Sequence, residues 1–195
     1  MASRKLTRAD ILPPERYAAG RREHRRRIAE IKRDRRIEVG PFVTFYFENR
    51  ETMWLQVQEM LHIERGGEAQ ITDELAAYNP MIPDGSDLSA TMMVEIEEPL
   101  RRDAMLHRLG GIEHRTFLML GGERVAGVAD ATRENTSPDG KASAVQFLKF
   151  PLSVAQKEKF RDPAVPAMLG IDHPAYGHMA TISGATRRAL ADDLE

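Results

Sequence analysis

Strand-like runs in this sequence arrive in two ways, and that limits the folds open to it. Arg115–Leu120 and Arg124–Ala129 flank Gly121-Gly122, the mark of a tight hairpin. Ile37–Phe47, Leu88–Ile96, Ser143–Phe150 and Ala164–Ile171 stand apart, with helical stretches among the intervening segments. Hairpin-linked strands pair antiparallel, and intervening helices must cover a sheet face. The expectation is an α+β fold, a single domain with a mainly antiparallel sheet of about six strands and helices packed on one side. A chain of 195 residues suits one domain better than two. There is no GxGxxG and no glycine-rich phosphate loop, so the common nucleotide-binding folds gain no support.

Helices are expected at Arg50–Gly66, closed by Gly66-Gly67, and at Thr72–Tyr78, capped by Thr72. Others are expected at Pro99–Leu109, Ser153–Phe160 and Thr186–Leu194. The run Ile37–Phe47 reads as one strand bent at Gly40-Pro41.

The net charge of −2 conceals a split. Residues 1–36 carry 13 Lys/Arg against 5 Asp/Glu, a net of +8, while residues 37–195 carry 15 against 25, a net of −10. The division is into a basic N-terminal helical arm (1–36) and a single α+β domain (37–195). Tyr17, His24, Ile28 and Ile31 form one narrow apolar stripe on the arm helix, which should therefore pack peripherally. Docking on the chain's own acidic body is favoured, and a homodimer that exchanges arms is a further expectation. Nucleic acid is disfavoured, because the body is acidic and no aromatics interleave with the arginines.

Cysteine is absent, which excludes disulfides, thiolate catalysis, Fe–S ligation by this chain and cysteine-ligated zinc. No apolar run is long enough to span a membrane, and the N-terminal residues lack an apolar leader, so a cytoplasmic location is expected.

Three groupings could carry chemistry. On the helix Arg50–Arg65, Met53, Trp54, Val57, Met60 and Leu61 share a face, with Glu64 in its middle and Arg65 at its edge. The opposite face carries Leu55, Glu59 and His62, so this helix lies between two layers if that face is buried too. Glu59 and His62 have the i, i+3 spacing of carboxylate–histidine metal sites, although a di-iron bundle would need a second copy that the chain lacks. The second grouping is Asp172-His173-Pro174-Ala175-Tyr176-Gly177-His178, with two imidazoles beside an aspartate and a tyrosine. Its histidines serve either as ligands or as turn caps. The third is Tyr78-Asn79-Pro80 followed by Pro83-Asp84-Gly85, a stiff loop able to present polar side chains at an edge.

Gln58–Arg65, Asp73-Glu74-Leu75 with Tyr78-Asn79-Pro80, Ile82-Pro83-Asp84-Gly85, Ala90-Thr91-Met92-Met93 and Gly170–Tyr176 occur in that order. Together they resemble a bacterial family, domain of unknown function 3501, over nearly the whole chain. The resemblance brings no catalytic role for any residue. Genes of that family often lie beside rubrerythrin and a heterodisulfide-reductase-like iron–sulfur protein, which implies an association with redox stress.

The resulting expectation is a small redox-associated metal- or ligand-binding protein. Its metal candidates are Glu59, His62, His173 and His178, suited to mononuclear Fe, Mn or Zn. Its ligand-binding candidates are Glu64, Arg65, Tyr78, Asn79 and Tyr176. The alternative is a non-enzymatic accessory protein docking through its basic arm on an iron–sulfur or rubrerythrin-type redox partner.

Overall fold

A computed structural model describes residues 4–182 and 184–195. It shows an α+β fold with two antiparallel sheets. The first sheet has the order β1 (Arg36–Val39), β2 (Val43–Glu48), β3 (Asp87–Val94), β7 (Val145–Pro151), β6 (Val128–Ala129). The second has the order β5 (Glu123–Ala126), β4 (Thr116–Leu120), β8 (Ala167–His173), β9 (Tyr176–Thr181). Helices α1 (Pro14–Arg33), α2 (Arg50–Glu64) and α3 (Gly67–Tyr78) form a layer of their own, while α4 (Pro99–Arg108), α5 (Val154–Arg161) and α6 (Gly184–Ala191) pack elsewhere on the fold.

Alternation along the strands explains the layering. Val43, Phe45 and Phe47 of β2 pair with Val94, Met92 and Ala90 of β3, placing all six on one face. That face shares a core with Leu118, Leu120, Leu169 and Ile171 of the second sheet. The other face of the first sheet presents Thr44, Tyr46, Glu48, Ser89 and Thr91, and a second apolar cluster of Met53, Val57, Ile71, Met81 and Ile82 reaches it through Phe147. The chain is therefore layered as helices, first sheet, second sheet.

Several expectations are met and others corrected. The Gly121-Gly122 hairpin forms, with Leu120 opposite Glu123. The run Ile37–Phe47 is a hairpin and not one bent strand. Gly40 (φ +76°) turns the chain there, and the Tyr176 hydroxyl fills the space where a Cβ would stand. The third helix begins at Gly67, earlier than Thr72, because the Gln70 side chain reaches back to accept from the Gly66 N–H at 2.7 Å. Among the described residues nine strands form, in sheets of five and four, where about six were expected. Strand β9 escapes sequence reading because Gly177, His178 and Met179 are all exposed, which erases the alternation an edge strand would show.

The basic segment is no free arm. Tyr17 and Ile28 are buried, and Arg21 pairs with Glu59, Arg27 with Glu51 and Arg8 with Glu68. Arg35 is buried against Asp193 and donates to the Ala189 carbonyl at 2.8 Å, tying the end of the basic segment to the C-terminal helix. Part of the arm's excess positive charge is thus met by acids of the body. Among the described residues no helix is long and apolar enough to cross a membrane.

Candidate functional site

Helix α2 lies between α1 on one side and α3 with the first sheet on the other. Its N-terminus is fixed by Asn49, whose Oδ1 accepts from the Thr52 N–H at 3.0 Å while the Thr52 Oγ1 accepts from the Asn49 N–H at 2.9 Å. Its C-terminus turns at Arg65, the one described non-glycine residue in the left-handed region (φ +56°).

Between α1, α2 and α3 opens a pocket of about 510 Å³, a size typical of small-molecule sites. Ile11, Leu12, Leu61 and Ile71 give it apolar walls. Gln58 and His62 line it from α2 at positions i and i+4, and Arg65 lines it from the left-handed residue that caps the helix, so three polar side chains border one cavity. Gln58 is 2% exposed, and its Nε2 has no hydrogen-bond partner. A buried donor left this way costs about 1–3 kcal/mol. Arg8, also at the pocket, is held bidentately by Glu68 at 2.8 and 2.5 Å. Arg65 has no ion-pair partner among the described residues, so it is the cation the pocket can offer to a ligand.

The wall shared with α1 is built on Glu59. Its carboxylate accepts from the Tyr17 hydroxyl at 2.5 Å and from Arg21 Nε and Nη2 at 2.9 and 2.8 Å. The Arg21 guanidinium first, then the Tyr17 hydroxyl, hold the Glu59 carboxyl down at about 2. Burial and the neighbouring carboxylate push the Tyr17 hydroxyl the other way, well above its ordinary range. Tyr17 also stacks on His24 with ring centroids 5.8 Å apart and meets His62 edge-on at 5.9 Å.

The residues singled out in the sequence divide among several places. His62 and Arg65 share the pocket. Glu64 points out of it, exposed, accepting from Gln70 Nε2 at 2.8 Å. Asn79 clasps the N-terminal segment, donating to the Leu6 carbonyl at 2.9 Å and accepting from the Leu6 N–H at 2.7 Å. Tyr78 lies over the first sheet, its hydroxyl accepting from Gln56 Nε2 at 3.4 Å.

His173, Tyr176 and His178 belong to the β8–β9 hairpin of the other sheet. His173 Nδ1 accepts from the Ala175 N–H at 3.2 Å, which leaves Nε2 to carry the proton toward the Gly110 carbonyl, also at 3.2 Å. Both of its ring nitrogens are thus engaged by backbone. The Tyr176 hydroxyl donates to the Val39 carbonyl at 2.6 Å and accepts from the N–H groups of Phe42 and Val43 at 3.3 and 3.2 Å. Burial pushes its pKa up. His178 is exposed, edge-on to Tyr176 at 4.4 Å.

The structure therefore does not bring Glu59 and His62 together with His173 and His178. Among the described residues no group of three or more His, Asp and Glu side chains is placed to hold a metal ion. Gln58 was missed by sequence reading, since a neutral amide on a helix carries no chemical signature until its lack of a partner is seen.

None of the curated proteins matches this chain. A crystal structure of a novel protein of unknown function from Burkholderia pseudomallei K96243 superimposes with a TM-score of 0.91 at 40% identity, covering 98% of this chain and 100% of that one. The family model described as Protein of unknown function (DUF3501) matches residues 5–194. On that match the chain belongs to the DUF3501 family.

Proposed function

We propose that this chain binds a small amphiphilic anion, an organic carboxylate with an apolar body, in the pocket between α1, α2 and α3. The observation that carries the reading is the unpartnered Nε2 of Gln58, a buried residue that lines the same pocket as His62 and Arg65. A carboxylate would give that donor an acceptor and give Arg65 a counter-charge, while its apolar portion lies on Ile11, Leu12, Leu61 and Ile71. The test is calorimetric titration with octanoate, octanol and octylamine. Octanoate should bind and octylamine should not, with octanol weaker than octanoate by about tenfold or more, the worth of a charge-assisted pair. Equal binding of all three would remove the reading.

A second reading rests on α1. Arg16, Arg22, Arg25 and Arg26 are exposed, and among the described residues they make no ion pairs. They suit an acidic protein partner, of the iron–sulfur or rubrerythrin type that the family resemblance implies. Reversing Arg22, Arg25 and Arg26 to Glu should abolish co-purification of such a partner while the fold survives. Retained co-purification would remove this reading.

A further inference from the structure

The outer face of the first sheet holds a second unassigned cavity, a groove of about 350 Å³ under α1, α2 and α3. Glu48, at the end of β2, lies in its wall and is 4% exposed. Its Oε2 accepts from the Thr52 hydroxyl at 2.6 Å and its Oε1 from the Thr91 hydroxyl at 2.8 Å. Two hydroxyl donors do not neutralise a buried carboxylate, which needs a positive partner or a large compensating field. Among the described residues no Lys, Arg or His pairs with the Glu48 carboxylate, and the nearby Arg35 guanidinium donates instead to the Glu48 backbone carbonyl at 3.5 Å and pairs with Asp193.

The same groove is lined by Lys32, near the end of α1 and half-buried, which also makes no ion pair among the described residues. The two opposite charges face one cavity without closing on each other, so a ligand can lie between them. Met53, Met93 and Phe147 give the rest of the groove an apolar surface. A simple amine would meet repulsion from Lys32, and a simple carboxylate would meet repulsion from Glu48. A molecule carrying both charges meets neither.

We propose that this groove binds a free α-amino acid with an apolar side chain. Its ammonium group donates to Glu48, its carboxylate faces Lys32, and its side chain lies against Met53, Met93 and Phe147. Tyr46 and Tyr78 border the groove and keep the charged end partly shielded from water, which strengthens both charge pairs.

The experiment is calorimetric titration of the full chain with leucine, methionine and phenylalanine, beside N-acetyl-leucine, which lacks the ammonium, and leucinamide, which lacks the carboxylate. At least one free amino acid should bind, and both leucine derivatives should bind about tenfold or more weakly than leucine if leucine is the ligand. Lys32→Met should weaken amino-acid binding by a similar factor with the fold intact, because Lys32 is only half-buried and makes no ion pair among the described residues. Glu48→Gln keeps an acceptor for a threonine hydroxyl and should abolish the binding. Neither variant touches Gln58 or Arg65, so octanoate binding should be unchanged in both, which separates the two sites. No binding of any of the three amino acids at about 10 mM, or equal binding of leucine and its N-acetyl derivative, would overturn the proposal.

Discussion

Glu59 of α2 accepts a 2.5 Å hydrogen bond from the hydroxyl of Tyr17 of α1, with Arg21 closing the same carboxylate from the other side. This joint sets the spacing of the two helices whose gap is the pocket, so the basic segment serves as one wall of a site. Both oxygens of Glu59 are engaged in this joint, Oε1 by Tyr17 and Arg21 and Oε2 by Arg21.

Replacing Glu59 with Gln should destabilise the chain by about 1–3 kcal/mol at neutral pH, the worth of charged hydrogen bonds. The pH dependence has a definite sign. The carboxyl titrates near 4.5 when unperturbed and at about 2 in the fold. The unfolded chain therefore takes up the proton first as pH falls, and the stabilisation, full above about 4.5, is lost as pH drops through about 2. Thermal melts of the native chain and the E59Q variant should differ most at pH 6 or above, in round terms, and converge toward acid. A constant gap at all pH values would contradict the assignment.

Gln58→Leu should raise stability by roughly 1 kcal/mol, because an apolar side chain of similar volume replaces a buried donor that has no partner. The same change should weaken octanoate binding. Chemical denaturation and titration on one preparation read both effects, and a destabilised variant would show that Nε2 is satisfied in solution.

Arg65→Gly separates backbone from side chain. Glycine adopts φ +56° without the Cβ penalty, so the variant should be as stable as the native chain or up to about 1 kcal/mol more stable. It removes the pocket's cation, so octanoate affinity should fall by about tenfold. Unchanged affinity would exclude Arg65 from the site.

The sequence made some of this legible and hid the rest for identifiable reasons. Gly121-Gly122 announces its hairpin because a tight turn has its own residue chemistry, and α1 starts at Pro14 as proline at the first helical position should. The division into two sheets depends on β4 pairing with β8 and β3 pairing with β7, contacts far apart in the chain that no local pattern encodes. His62 stood out through its i, i+3 spacing from Glu59, and Arg65 as a charge at the edge of an apolar helix face. Glu48 looked like nothing more than the end of a strand, and Gln58 like an ordinary helix residue. His173 and Tyr176 stood out for a structural reason, since their polar atoms close backbone turns.

Tyr176→Phe should accordingly cost about 2–3 kcal/mol, because it leaves the Val39 carbonyl and the N–H groups of Phe42 and Val43 without their common partner. His178→Ala, at an exposed position, should stay within about 0.5 kcal/mol of the native chain. Equal effects of the two changes on the denaturation midpoint would contradict the hairpin's structural role.

The most direct test of the ligand-pocket account is to follow the side-chain amide of Gln58 by NMR while octanoate is added. The account expects the Nε2 protons to shift on saturation, as an unpartnered donor gains an acceptor, with the methyl groups of Ile11 and Ile71 moving in the same titration. Octanoate that binds while these resonances stay still, or that fails to bind at all, would contradict it.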